Sequence, residues 1–143
     1  MKFKTLLITT ALLLAGLFLV ACGGGSESQN TFTITATDDF TYAPDRLTVK
    51  AGQEVTLTFN NEGPVEHSFN ILKGDEELEH VLEAAHEEEE LHEELLLEIH
   101  ETEPGASETK TFTAPTEPGD YTFFCSLPGH ADEGLVGILT VTP

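Results

Sequence analysis

Methionine is absent from this 143-residue chain after position 1, cysteine occurs twice, and lysine and arginine together number six against 26 aspartates and glutamates. Each scarcity excludes something. The formal charge is −20, and about −22 once Lys2 and Lys4 are removed with a leader, so nucleic acid is excluded as a partner. The acidity favours cationic partners drawn in by electrostatic steering. It reads equally as the generally acidic surface of a salt-adapted protein, because acids outnumber bases outside the most acidic stretch as well. Neither cysteine reads as a disulfide partner, and no thioether remains beyond Met1. The length predicts one domain with a single core.

Long apolar runs are confined to the beginning. Residues 1–21 pair a basic start (Lys2, Lys4) with an apolar stretch from Leu6 to Val20, the layout of a secretory signal peptide. The run ends in Leu19-Val20-Ala21-Cys22, which resembles a bacterial lipobox and marks Cys22 for lipidation. Several acyl chains attach a protein durably to a membrane where one does not. An uncleaved membrane helix is the alternative, barely long enough to span. Gly23-Gly24-Gly25-Ser26 follows, so residues 22–30 read as a flexible tether. Either reading places residues 31–143, the folded domain, outside the cytoplasm, and the lipobox reading has it lipid-anchored to the cell membrane on its periplasmic or outer face.

After the tether, apolar and polar residues alternate. FTITA (32–36), RLTVK (46–50) and QEVTLTFN (53–60) have the period of half-buried strands, and turn residues separate them. Short strands with such punctuation predict an all-β antiparallel sandwich. In VEHSFNI, Val65, His67, Phe69 and Ile71 share one side of a strand, so His67 points inward. Alone, such a histidine reads more readily as a satisfied core residue than as a ligand.

The stretch of about 74–103 breaks this pattern. It is Glu-rich, with Asp75 as a plausible N-cap and Pro104-Gly105 as a stop, and predicts an acidic helical insertion. Leu78, Val81, Leu82, Ala85, Leu96 and Ile99 form one imperfect stripe, while Glu–Glu neighbours four apart weaken the helix near 87–90. One helix with a weak point, or two shorter ones, is expected. His80, His86, His92 and His100 also lie here. No two are four apart, which argues against a helical metal pair and for a solvated acidic face.

The chemistry gathers in YTFFCSLPGHADEGLVG (121–137). Tyr121, Phe123 and Cys125 share one strand face, and a Pro-Gly turn returns His130 toward the thiol. Cys125 precedes His130 by five residues, and His67 lies 58 residues upstream of the cysteine. Two imidazoles and a thiolate are the equatorial donors of trigonal copper sites, which moves His67 from core residue to ligand candidate.

TYAPDRLTVKAGQEVTLTFNN, VEHSFNI, PGDYTFFCSLPGH and GLVGILTV together resemble the cupredoxins, in particular the small plastocyanin, azurin and auracyanin type. The resemblance runs over 31–143 and omits the insertion. It implies a Greek-key β-sandwich, one type I copper ion held by His67, Cys125 and His130, and one-electron transfer between larger redox proteins such as cytochromes or membrane electron-transfer complexes. The family commonly carries an axial methionine five residues after the second histidine. Leu135 stands there and has no donor atom. An enzyme is not expected: copper oxidases and nitrite reductases need further domains and a second ligand set, and a binuclear centre needs two cysteines in the loop. The rival reading is an extracytoplasmic copper carrier or scavenger.

Overall fold

A computed structural model describes residues 30–74, 77–86 and 93–143. The leader, the tether through residue 29 and Cys22 lie outside the described residues, as do Asp75, the 87–90 weak point and His92. The elements run β1 (Thr31–Ala36), β2 (Tyr42–Ala43), β3 (Arg46–Lys50), β4 (Glu54–Asn61), β5 (His67–Leu72), α1 (Leu78–His86), β6 (Leu95–Thr102), β7 (Ser107–Thr113), β8 (Gly119–Phe124), α2 (His130–Glu133) and β9 (Val136–Thr142). Among these residues no helix is long and apolar enough to cross a membrane.

The strands form two sheets, ordered β2-β1-β4-β7 and β3-β9-β8-β5-β6. This is the expected sandwich. Two pairings are parallel, β1 with β4 and β3 with β9, a feature that alternation cannot reveal because it reports faces and not neighbours. The inward residues interleave between the sheets: Ile34, Val55, Leu57 and Phe59 from one, Val49, Phe69, Ile71, Phe123, Leu139 and Val141 from the other. Phe59, Phe69, Phe123 and Tyr42 form an aromatic block, with ring centroids 5.1–6.2 Å apart.

The insertion is only partly helical, and the sequence expectation needs correcting there. Helix α1 stops at His86, and the chain from Leu95 to Thr102 is a strand hydrogen-bonded to β5, in register Phe69↔Ile99, Ile71↔Leu97 and Leu72↔Leu95. The buried set is Leu95, Leu97 and Ile99, a period of two, whereas the helical stripe had joined Leu96 to Ile99. Pairing with β5 gives both strands a hydrogen-bonded neighbour. Val65 also departs from expectation: it precedes β5 in a loop and is 42 % exposed.

Helix α1 covers the outer face of the five-stranded sheet. Val81 is buried against Leu72, Leu95 and Phe124, with Leu78 and Leu82 packed alongside. The leucines of the first half of the insertion therefore dock as expected. Strand β5 is buried at every position from His67 to Leu72: α1 packs on its Leu72 end, and Ser126 meets Ser68 and Asn70.

Two consequences are measurable. Gly137 pairs with Phe123, and a Cβ there would overlap that ring and approach the Asp45 carbonyl oxygen to 2.5 Å. Gly137→Ala is expected to cost about 1–3 kcal/mol of stability by urea denaturation. Replacing 74–103 with a short turn removes the buried Leu95, Leu97 and Ile99. At roughly 2–5 kcal/mol each, their loss rivals a whole domain's stability of about 5–15 kcal/mol. That variant is expected to show no cooperative thermal transition by circular dichroism.

Candidate metal centre

Strand β8 carries the chain out of the core, and Cys125 is the next residue, fully buried. Its N–H donates to the Leu135 carbonyl at 3.0 Å, which ties the outgoing strand to the start of β9. The intervening loop turns at Gly129, whose φ of 78° lies in the left-handed region that glycine enters without steric cost. The His130 N–H then donates to Leu127 O at 3.1 Å, and the Leu135 N–H donates to His130 O at 3.0 Å. The loop is closed by its own backbone, and His130 is delivered back over Cys125.

His67 opens β5 and is fully buried. The loop before it is fastened by Asn61, whose Nδ2 donates to Val65 O and Thr102 O, both at 2.7 Å, and whose Oδ1 accepts from Gly63 N–H at 2.9 Å. Gly63 lies against His67 Nε2 so closely that a Cβ would stand 2.7 Å from it. Nε2 is enclosed there with no hydrogen-bond partner among the described residues. The nitrogen presented to the cluster is Nδ1.

The three donor atoms converge. His67 Nδ1 and His130 Nδ1 are 3.2 Å apart, Cys125 Sγ is 3.5 Å from His130 Nδ1, and ligand atoms of all three residues lie within 4.8 Å of one another. Metal–nitrogen bonds of about 2.0–2.1 Å and metal–sulfur bonds of about 2.3 Å fit separations of this size. Among the described residues this is the one cluster of metal-ligating groups. His80 and His100 are exposed and stand apart from it; His100 Nδ1 lies 3.5 Å from Glu98. Leu135 is fully buried in the main core, and both of its backbone polar groups hold the loop.

The surroundings of both imidazoles disfavour the proton. Burial lowers the His67 pKa below the ordinary histidine value, and the neighbouring His130 charge lowers it further; burial alone lowers that of His130. Neutral imidazoles keep lone pairs free for a metal.

Several supporting residues are absent from the sequence-derived set. Phe40 has φ 55°, unusual for a residue with a Cβ, and its ring meets His67 and His130 edge-on at 5.5 and 5.0 Å. Ser68 donates toward Cys125 Sγ twice, from N at 3.4 Å and from Oγ at 3.5 Å. Ser68 Oγ also accepts from Ser126 N at 2.9 Å and from Asn70 Nδ2 at 3.2 Å. With both lone pairs occupied, its single proton goes to Sγ or to Ser126 Oγ, 3.0 Å away. Asn70 Nδ2 reaches Ser126 Oγ as well, at 3.2 Å. The available signal was Ser and Asn alternating with buried residues beside His67; alternation names the strand's inner face and is silent on what covers the other.

The comparisons agree with this geometry. A solved auracyanin from Roseiflexus castenholzii, reduced with dithionite, superposes with a TM-score of 0.76 at 33% identity, covering 81% of this chain and 99% of that one. Auracyanin A, a "blue" copper protein from Chloroflexus aurantiacus, gives 0.70 at 28%, covering 78% and 98%. By sequence the chain is 29% identical to a plastocyanin of Nostoc punctiforme, over 96% of this chain and 91% of that protein. It is 26% identical to the copper-resistant cuproprotein CopI of Rubrivivax gelatinosus, over 83% and 70%. The His–Cys–His cluster is consistent with a type I copper site. A family model described as the cupredoxin-like domain matches residues 9–141, and with the two-sheet sandwich and its three converging donors this chain belongs to that family.

Proposed function

We propose that the protein is a one-electron carrier that holds a single copper ion through His67 Nδ1, Cys125 Sγ and His130 Nδ1. The observation that carries this reading is the convergence of two neutral-leaning imidazoles and one buried sulfur on a common point. Copper supplies a one-electron couple between its two oxidation states when held by such donors. The chain's part is to keep the donors still. His67 is clamped by the Asn61–Gly63 loop, Cys125 and His130 by the Leu135 backbone, so a change of oxidation state meets a fixed ligand set.

His130 is the most exposed of the three ligands and forms the edge through which an electron leaves. Half-buried Leu127 and exposed Pro128 beside it permit close approach of a partner. The segments around this end, 37–41, 61–67, 101–105 and 126–135, contain acids and no lysine or arginine. Among the described bases, Arg46 lies 4.0 Å from Asp120 and Lys110 lies 3.3 Å from Glu108. This charge pattern suits redox partners with a cationic docking face, such as cytochromes or membrane electron-transfer complexes. Lipid attachment at Cys22 would confine the exchange to a membrane surface. The likeness to a plastocyanin and to auracyanins supports reading it as a carrier rather than an enzyme.

The second reading, copper carriage or scavenging, is favoured by the likeness to a copper-resistance cuproprotein. Titrating the soluble domain with Cu(II) separates the two. One equivalent giving an intense visible thiolate-to-copper band, with a narrow EPR hyperfine pattern and reversible reduction, supports the electron carrier. Several chelator-labile equivalents support carriage. A protein that binds no copper refutes both.

Two further results are expected. Leu135 offers no donor at the axial place, so less electron density reaches Cu(II); Leu135→Met is expected to lower the reduction potential relative to wild type, by voltammetry. The pH dependence of the metal-free protein follows from the lowered histidine pKa values. The unfolded chain binds these protons at higher pH than the folded one, so stability rises with pH across that window. The contribution is complete above the ordinary histidine value of about 6.5 and is lost as pH falls through the lower folded values. Denaturation midpoints measured from pH 7.5 down to 5 are expected to drop, and His67→Phe is expected to flatten that slope.

A further inference from the structure

The two groups of the Ser68 backbone have unusual partners. Strand β5 pairs with β8 only at Asn70↔Phe124 and Ile71↔Phe123, and beyond Asn70 side chains take over. The Ser68 N–H donates to Cys125 Sγ, and the Ser68 carbonyl accepts from the Tyr42 hydroxyl at 2.6 Å. Tyr42 belongs to the opposite sheet. Its ring is 3 % exposed and lies among Phe59, Phe69 and Phe123, with the hydroxyl reaching across the core to one carbonyl. Burial, and then the nearby Cys125, raise its pKa well above the ordinary tyrosine value, so the phenol keeps its proton and remains a donor.

We propose that Tyr42 is a positioning residue for the copper–thiolate bond: its hydroxyl pins Ser68, and Ser68 in turn holds donors against Cys125 Sγ. This rests on the copper reading above. The chain of cause is short. Ser68 Oγ is fixed by Ser126 N–H and Asn70 Nδ2, and the Ser68 carbonyl by Tyr42. Together these set where the Ser68 N–H and Oγ stand, 3.4 and 3.5 Å from the sulfur. Hydrogen bonds to a copper-bound sulfur draw away density that it would donate to Cu(II), which raises the reduction potential. Without the hydroxyl, the Ser68 carbonyl would be buried with its phenol partner lost, and relief requires rotating the backbone that carries the N–H···S contact.

Tyr42→Phe tests this, because it keeps the ring and removes only the hydroxyl. Tyr121→Phe is the control: that hydroxyl also donates to a backbone carbonyl, Glu117 O at 2.9 Å, on the turn before β8. In the metal-free Tyr42→Phe protein the Ser68 amide is expected to exchange with deuterium about tenfold faster relative to the Cys125 amide. In the copper form, the equilibrium with a one-electron mediator is expected to shift about threefold toward Cu(II), about 30 mV at 59 mV per decade, with a displaced thiolate-to-copper band. Tyr121→Phe is expected to leave all three unchanged. Unaltered Ser68 exchange, an unaltered potential, or equal changes in the Tyr121 variant would each overturn the proposal. A wild-type protein with no copper–thiolate band would overturn the carrier reading instead, and the exchange comparison would then decide alone whether Tyr42 pins Ser68.

Discussion

A sulfur with no solvent contact must find its partners inside the protein, and the surroundings of Cys125 are arranged around that requirement. On one side it meets Ser68 N–H and Oγ, and on the other His130 Nδ1, with His67 Nδ1 close behind. The backbone N–H of Cys125 is spent on Leu135 O, so the residue is held independently of whatever its sulfur binds. The sandwich makes this arrangement rigid. Phe123 and Tyr121 anchor β8 in the core below the cysteine, while β5 is covered on both faces and cannot slide without exposing Phe69 and Ile71. A ligand set resting on such elements is preorganised, and preorganisation keeps rearrangement small when one electron arrives or leaves.

Much of this was legible in the sequence because the relevant signals are local. Val55, Leu57 and Phe59 alternate with polar residues, and β4 follows with the same buried face. Tyr121, Phe123 and Cys125 share a face, and the Pro128-Gly129 turn announces a tight return to His130. What was hidden depends on pairing across the chain. Leu95, Leu97 and Ile99 form a strand because β5 offers a ladder, and β5 lies outside the Glu-rich segment itself. The same holds for Ser68 and Asn70. They look like solvent-facing positions until β8 and the Ser126 loop are laid beside them. Tyr42 is further still from view, since its carbonyl partner is 26 residues away in the other sheet.

Phe40 shows a related limit. Its backbone lies in the left-handed region, and the ring gains edge contacts with both imidazoles. A non-glycine residue held there carries strain that the surrounding structure must offset. Here the Thr37 N–H donates to Thr41 O at 3.0 Å, and the Phe40 N–H to Thr37 O at 3.2 Å, closing the turn around it. The adjacent Gly134 fits the other side, since a Cβ there would stand 3.1 Å from the Phe40 carbonyl oxygen. Strain at Phe40 and freedom at Gly134 are thus complementary parts of one contact beside the metal-ligand cluster.

Leu135, at the axial place of the proposed copper site, leaves the rest of the site undisturbed. The loop needs its backbone: the N–H to close on His130 and the carbonyl to receive the Cys125 N–H. Neither bond depends on the side chain. The leucine side chain is buried with the core that includes Phe123 and Leu139, so an apolar residue there adds to packing while the three strong donors keep their places. A methionine would trade a similar apolar volume for a thioether, a substitution cores tolerate well. In the proposed copper site, a residue at position 135 would therefore bear on the electronics of the metal and only weakly on the fold.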